Sequence, residues 1–365
     1  MDGLAARARP LLTEAIQRRV FPGAVLAAVG QTGGASVVTA GHLTYARDSL
    51  VVDHKTLYDI ASVTKIVTLT ATLVLASAGH LSLDDRVGDL LDCATFSSIT
   101  VRQVLAHTAG LRLSLSSLKD VSRPEIEAAI LATGPVTEPG TQFYYSSQGY
   151  YLLGKVLEVV SGRRLEDCLQ EAVLDPLGMN ATIFNPPAAW QQRIAPTEDD
   201  PWRSGVVWGV PHDEGTFALG GVAGHAGLFS TAEDLLKLGR LWLNEGMVGG
   251  RPLIRRDLVR ESIEDNYREA AGATGFRVQR FALGWGLEDR DYIGSLASSR
   301  AYSLLGFTGP ALTIDPDQGA VIVIMNNRVH PTRDGPSRAR YHAAITEAAM
   351  QWLCRRDHHR PNQGA

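Results

Sequence analysis

Ser62 and Lys65 stand three positions apart in the stretch DIASVTK, at the mouth of the apolar run IVTLTATLVLASA. If that run is a helix, positions i and i+3 share one face, a turn apart. A lysine amine so placed can take the proton of the serine hydroxyl. A serine needs such an activator before it attacks a carbonyl carbon. The chemistry implied is acyl transfer through a covalent serine ester. Four letters alone carry little weight, since S-x-x-K recurs as a helix cap followed by a solvated lysine. The apolar run changes the balance. Lysine supplies only five of the 35 basic side chains, and burying one is costly unless something uses or pairs with it.

Other reactive residue types read more plainly. His107 in AHTAGL and His225 in GHAGL lie in small-residue turns and are expected to be structural. The segment PHDE, residues 211–214, reads as a turn in which His212 and Asp213 bond to backbone rather than as a metal site. Cys93, Cys168 and Cys354 are far apart, with neither metal-ligand spacing nor a disulfide framework. Cys354 with His358 and His359 falls in a tail, RRDHHRPNQGA, that reads as frayed. The loop DDPWRSGVVWGV, residues 199–210, suits a substrate entrance and plain packing equally well. No metal and no cofactor is expected.

The elements that must hold Ser62 and Lys65 follow from periodicity and turn chemistry. Residues 66–78 are too short to span a bilayer and read as a buried helix ended by Gly79. AVLAAVG and SVVTAGHLTY form a hairpin around Gly33 and Gly34; ALTID and AVIVIMNN flank PDQG in a second hairpin. A helix over residues 338–352 follows. At the start, Leu11, Leu12, Ala15, Ile16 and Val20 give an amphipathic helix. Between the ends, TVRQVLA, YYLLGKVLEVVSG and STAEDLLKLGRLWLNEG read as helices, the first on a capping threonine, the last on a capping box. The fold class expected is α/β (α+β): an antiparallel sheet made by both chain ends, flanked by helices, with an inserted mostly helical region. Residues 1–365 then form one catalytic domain, with the α/β part at about 1–65 and 270–355 and the helical part at about 66–269.

Several stretches resemble one family. EPG and FYYSSQGYYLLG (138–140 and 143–154), LSLDDRV (81–87), ITVRQVLAHTAGL (99–111) and GGVAGHAGLFSTAEDL (220–235) are similar in order and spacing to the class C β-lactamase and penicillin-binding-protein-like family, which also holds esterases and transacylases. The likeness runs from about residue 20 to about 352. It implies that Ser62 is the acylated nucleophile, Lys65 its base, and Tyr145 the tyrosine that relays the proton. It also implies an oxyanion hole from the backbone N–H groups of Ser62 and Phe307. Two departures stand out. Ser147 occupies a position where the family often has asparagine. The third motif, usually K-T-G or H-T-G, reads Leu304-Leu305-Gly306 before FTG. The groups that would hold a substrate carboxylate are absent there; Arg300 and Arg328, nearby in sequence, are candidates to substitute. Gly306 still lets the strand lie close to the substrate, its backbone free to pair with an amide or position the oxyanion donor.

The functional expectation is a serine hydrolase or acyltransferase acting on a carboxylic ester or a related neutral acyl donor. Its partners are that small-molecule donor and an amine or alcohol acceptor. A β-lactamase or D-amino-acid peptidase is the alternative enzyme. Both act on carboxylates, which are costly to bury beside leucine. A binding protein that kept the fold and lost turnover is the competing class; Leu304 and Leu305 speak for it, and Ser62, Lys65 and Tyr145 against it. The net charge of −4, with no basic block, argues against nucleic acid. The first residues lack the apolar stretch of a leader, so a cytoplasmic, membrane-free location is expected.

Overall fold

The computed structural model describes residues 3–31, 33–265, 267–268 and 280–358. Eight strands form the main sheet: β1 Gly23–Gly30, β2 Ser36–Gly41, β3 Tyr267–Arg268, β4 Arg280–Phe281, β5 Gly286–Leu287, β6 Tyr302–Leu305, β7 Ala311–Asp315 and β8 Ala320–Asn326. Their order is β3-β4-β5-β6-β7-β8-β1-β2, antiparallel throughout. β1 lies against β8, with Ala24 opposite Asn326 and Gly30 opposite Ala320. The two chain ends thus close one sheet, as the fold class required.

The apolar runs of β1 and β8 have no polar face because both faces are covered. Ala24, Leu26, Ala28, Ile322 and Ile324 meet α1 (Gly3–Gln17) and the last helix. Val25, Ala27, Val29, Val321, Val323 and Met325 point into the larger core on the other side. The central helices are α2 Thr64–Ser77, α3 Val101–Leu105, α4 Ser147–Ser161, α5 Glu214–Ala218 and α6 Ala232–Leu243, and α7 Ala339–His358 closes the fold. α1 buries Leu4, Ala8, Leu12 and Ala15, so its inner face sits slightly to the side of the one read from sequence; Leu11 and Ile16 are half-buried. Among the described residues, no helix is long and apolar enough to cross a membrane.

The middle of the chain departs from expectation in two ways. It contains a small sheet of Tyr58–Asp59, Leu228–Ser230 and Ile183–Phe184, whose two- and three-residue strands are too short to show alternation. Its helices are also not set apart from the sheet. α6 packs on β8, β1 and β7, close enough that a side chain at Gly239 would strike Val321. Residues 267–268 belong to the sheet edge. Helix ends follow their caps: Thr100 and Gln103 form a reciprocal capping box at α3, and Gly162 ends α4 in the left-handed region at φ 65°. Of the tail expected to fray, residues 355–358 continue α7, and residues 359–365 lie outside the described residues.

Candidate active site

Ser62 sits in a single 3₁₀ turn, Ala61–Val63, that runs straight into α2. Ala61 holds φ 43°, an uncommon value for a residue with a side chain. The surroundings fix it there. Its N–H donates to Asp59 Oδ1 (2.8 Å), and Asp59 Oδ2 accepts from the N–H of His212 (2.7 Å). Burial pushes the Asp59 carboxyl above its usual range, against the lowering effect of those two donors. The Thr308 hydroxyl donates to the Asp59 carbonyl (2.7 Å).

Lys65 lies on the first turn of α2 and is only 1% exposed. Its Nζ donates to Ser62 Oγ (3.2 Å) and to the carbonyl of His225 (3.1 Å). Among the described residues no carboxylate pairs with it. Its other neighbours are aromatic: Nζ stands 4.7 Å from the Tyr145 ring centre and 5.8 Å from that of Tyr150. The glycine-rich segment GGVAGHAGL brings the His225 carbonyl this close, because a side chain at Gly224 would collide with the Tyr150 carbonyl on α4.

Tyr145 precedes α4 and stacks on His107, with ring centres 4.4 Å apart. His107 is buried, and its Nδ1 accepts from the Ser146 N–H (3.0 Å). Burial, then the charge of Lys65, holds His107 well below the ordinary histidine pKa. The ring is therefore neutral with its proton on Nε2. It cannot take up a proton readily and serves as a floor under Tyr145. The hydroxyl of Ser146 caps α4, accepting from the N–H of Gly149 (3.0 Å), which leaves Ser147, the first residue of α4, facing the cleft.

One cleft of about 960 Å³ gathers Ser62, Lys65, Tyr145, Ser147, Leu304 and Phe307 on its walls. Gly306 is not among the lining residues. Its N–H donates to the Pro310 carbonyl (2.8 Å) and is not open to a substrate amide. What its missing side chain allows is an approach to the protein's own backbone: a Cβ there would lie 2.5 Å from the Ile60 carbonyl. Gly306 thus lets the end of β6 press against the turn that carries Ser62. Leu304 is buried on β6 and Phe307 is 46% exposed.

Of the opposite wall, sequence reasoning named Arg328 and missed Arg333 and Arg338. Arg300, a candidate to replace the absent cation, pairs with Asp317 instead (2.9 Å). Arg328, Arg333 and Arg338 do line the cleft, so the premise of no cation at Leu304 does not extend to the whole site. Arg333 is neutralised, bonding Glu198 Oε2 (2.6 Å) and Glu214 Oε1 (2.7 Å). Glu198 also meets His212 Nε2 (2.9 Å). His212 and Asp213 bond as a turn should, but their side chains reach further: Asp213 caps α5 and meets His225 Nε2 (3.2 Å). The partners of that ring nitrogen are Thr216 and Asp213, not Ser62. The tryptophans of the 199–210 loop pack elsewhere, Trp202 Nε1 on Asp120 (2.8 Å) and Trp208 Nε1 on the Ile194 carbonyl (2.8 Å). The one signal for the arginine wall was NNRVHPTR after the last strand, an irregular segment whose side-chain directions no periodicity fixes.

This fold, closed over a buried Lys65 beside a half-buried Ser62, is that of serine β-lactamase and penicillin-binding-protein-like hydrolases. A family model described as Beta-lactamase matches residues 8–347, and the chain belongs to that family. A protein of Escherichia coli (strain K12) named "Putative D-alanyl-D-alanine carboxypeptidase" is 31% identical over 315 residues, covering 78% of this chain and 71% of its own. The solved structure of "EstCE1, a hydrolase with promiscuous acyltransferase activity" superposes with a TM-score of 0.77 at 22% identity, covering 95% of this chain and 98% of that one. A family VIII carboxylesterase superposes with a TM-score of 0.74 at 20% identity, covering 96% and 97%. At these identities both structures speak for the fold alone.

Proposed function

We propose that this protein is a serine acyl-enzyme hydrolase of carboxylic esters, able to hand the acyl group to an alcohol or amine as well as to water. The observation that carries this is Lys65: a buried amine with no carboxylate partner among the described residues, donating to Ser62 Oγ at 3.2 Å. Ser62 Oγ attacks the carbonyl carbon as Lys65 Nζ takes the hydroxyl proton. Tyr145, whose ring stands beside Lys65, passes the proton to the departing alkoxide. The acyl group is then an ester on Ser62. Water, an alcohol or an amine attacks that ester, the proton travels back along the same path, and Ser62 is freed. The N–H groups of Ser62 and Phe307 bond to no other group among the described residues and face one cleft. They suit the oxygen that becomes negative in the tetrahedral intermediate.

The names of the two structural neighbours, a hydrolase with acyltransferase activity and a carboxylesterase, are consistent with this reaction. A second reading, cleavage of a peptide ending in a D-amino acid, is favoured by the name of the E. coli relative. The deciding experiment compares a p-nitrophenyl ester, a chromogenic cephalosporin and a D-alanyl-D-alanine peptide, with product analysis in the presence of added alcohols and amines. Ester turnover far above the other two, lost in Ser62→Ala, supports the ester reading. Faster release of D-alanine sinks it in favour of the second. Absence of all turnover and of fluorophosphonate labelling makes the chain a binding protein.

A further inference from the structure

The turn PHDE, residues 211–214, reaches both members of the Ser62–Lys65 pair through intermediaries. Its backbone serves the Ser62 side. The His212 N–H donates to Asp59 Oδ2 (2.7 Å), and Asp59 Oδ1 accepts from the Ala61 N–H (2.8 Å) in the turn that carries Ser62. Asp213 serves the Lys65 side. Its Oδ1 meets His225 Nε2 (3.2 Å), and the carbonyl of the same His225 accepts from Lys65 Nζ (3.1 Å). The turn itself is held by Arg203, whose side chain is 8% exposed: Nη1 donates to the Pro211 carbonyl (2.5 Å) and Nη2 to that of His212 (2.8 Å). Asp213 is fixed further by the Thr216 N–H, which donates to its Oδ1 (2.7 Å). Burial works to raise the Asp213 carboxyl, but the bonds from His225 and Thr216 outweigh it and hold it well below the usual range. Ionised, Asp213 only accepts, so His225 Nε2 carries the proton. A bond to a charged acceptor is stronger than a neutral one, and here it sets the ring of a residue that is only 1% exposed. The chain just before that ring is set from α2, where the Thr68 hydroxyl donates to the Gly224 carbonyl (2.8 Å).

Lys65 Nζ has two hydrogen-bond partners among the described residues, Ser62 Oγ and the His225 carbonyl. An amine on a flexible four-carbon stem does not aim itself. Ser62 is the group to be activated, so the His225 carbonyl is the fixed point that aims the amine. We propose that Asp213 is a positioning residue for acyl transfer: it holds His225 so that the carbonyl of His225 keeps Lys65 Nζ on Ser62 Oγ. The inference rests on the acyl-enzyme reading above. Asp213 exchanges no proton in this role, and neither does the His225 ring. With the anchor loosened, the amine leaves its line to the hydroxyl, and a misplacement of about 1 Å can cost on the order of 10²-fold in rate. Asp213 also lines the cleft, so contact with substrate is the competing role. The two differ in what they change: position acts on the acylation rate, contact on binding.

The test uses p-nitrophenyl acetate under single-turnover conditions, with enzyme in excess, which separate the acylation rate constant from the substrate dissociation constant. Rates are taken per folded molecule, the folded fraction being read from urea unfolding. Asp213→Ala is expected to slow acylation by roughly tenfold to a hundredfold at an unchanged dissociation constant. Asp213→Asn keeps an acceptor oxygen for the Nε2 proton and should recover part of the loss. An acylation rate unmoved by Asp213→Ala overturns the proposal, and so does weaker binding at an unchanged rate. If Asp213→Ala does not fold, Thr216→Val decides. It removes the hydroxyl that meets His225 Nε2 (2.9 Å) and keeps the N–H on Asp213. Acylation should then slow by about twofold to tenfold, as for one lost hydrogen bond between neutral groups, and an unchanged rate overturns the proposal. Release of p-nitrophenol that survives Ser62→Ala would instead bring down the acyl-enzyme reading. Release lost in Ser62→Ala and indifferent to Asp213→Ala brings down only the positioning role.

Discussion

Lys65 and Arg333 are both cations on the walls of one cleft, and the protein treats them oppositely. Arg333 is given two carboxylates, Glu198 and Glu214. Lys65 is given a hydroxyl, a carbonyl and two aromatic faces. A carboxylate locks a cation in its charged form and in one place. A hydroxyl and a carbonyl hold an amine in position without setting an opposite charge against it. The Arg333 wall is therefore built to stay, and on the reading proposed above the Lys65 wall is the one that reacts.

The largest effects should come from the reactive wall. Ser62→Ala is expected to lower kcat for a p-nitrophenyl ester by on the order of 10⁴-fold or more, with loss of fluorophosphonate labelling and little change in unfolding midpoint. Persistent labelling would move the nucleophile elsewhere. Tyr145→Phe keeps the ring on His107 and removes only the hydroxyl. It should cost on the order of 10²- to 10⁴-fold in kcat, and an unchanged rate takes Tyr145 out of the proton path. On the other wall, Glu198→Gln should act chiefly on stability. We expect about 1–3 kcal/mol from the weakened bonds to Arg333 and His212, read from urea unfolding. A large loss of kcat at unchanged stability would erase the contrast between the walls.

The smallest effect is in the pH dependence of stability, and it separates the walls by their titrating groups. His107 and His342 have folded pKa values below that of the unfolded chain. The unfolded chain therefore binds more protons than the folded one as pH drops below about 6.5, and stability is lost in that direction. Burial would raise Glu198 and Glu214, but the bonds from Arg333, joined at Glu198 by His212, outweigh it and hold both below the usual range. Their contribution is complete above about 4.5 and disappears only as pH falls further. Thermal unfolding across pH 3–8 should show two descending steps. His107→Gln should flatten the upper one and Glu198→Gln the lower; a single step in wild type would contradict this assignment.

The reactive wall was legible because its residues are close in sequence. Ser62 and Lys65 share one turn, and Tyr145 to Gly154 lies within a single loop–helix stretch. The sheet was legible where its strands are long and covered on both faces, as in β1, β7 and β8. Its short strands β3 to β5 have two residues each, too few to show a period. His107 looked like a turn residue and is one, with φ 58°. Its place beneath Tyr145 depends on a contact across nearly forty residues that no local pattern announces. Gly306 was read for what a substrate would need, and the space that the Ile60 carbonyl needs was not visible. Arg328 could be named only as near in sequence, and Arg338 not at all, because their surroundings are set by packing between β8, α7 and the loop after β6.

The hydrogen bond from Thr308 to the carbonyl of Asp59 joins residues 249 positions apart, and β1 finds its neighbour β8 only at the far end of the chain. A chain emerging from the ribosome therefore carries Ser62 and Lys65 long before it has Gly306, Thr308 or Arg338 to set against them. Contacts this distant in sequence form late in folding. A chain stopped short of β8 holds a serine and a lysine but no site. On the reading proposed above, acylating power waits for the last strands of the sheet, and chains without them are chemically silent.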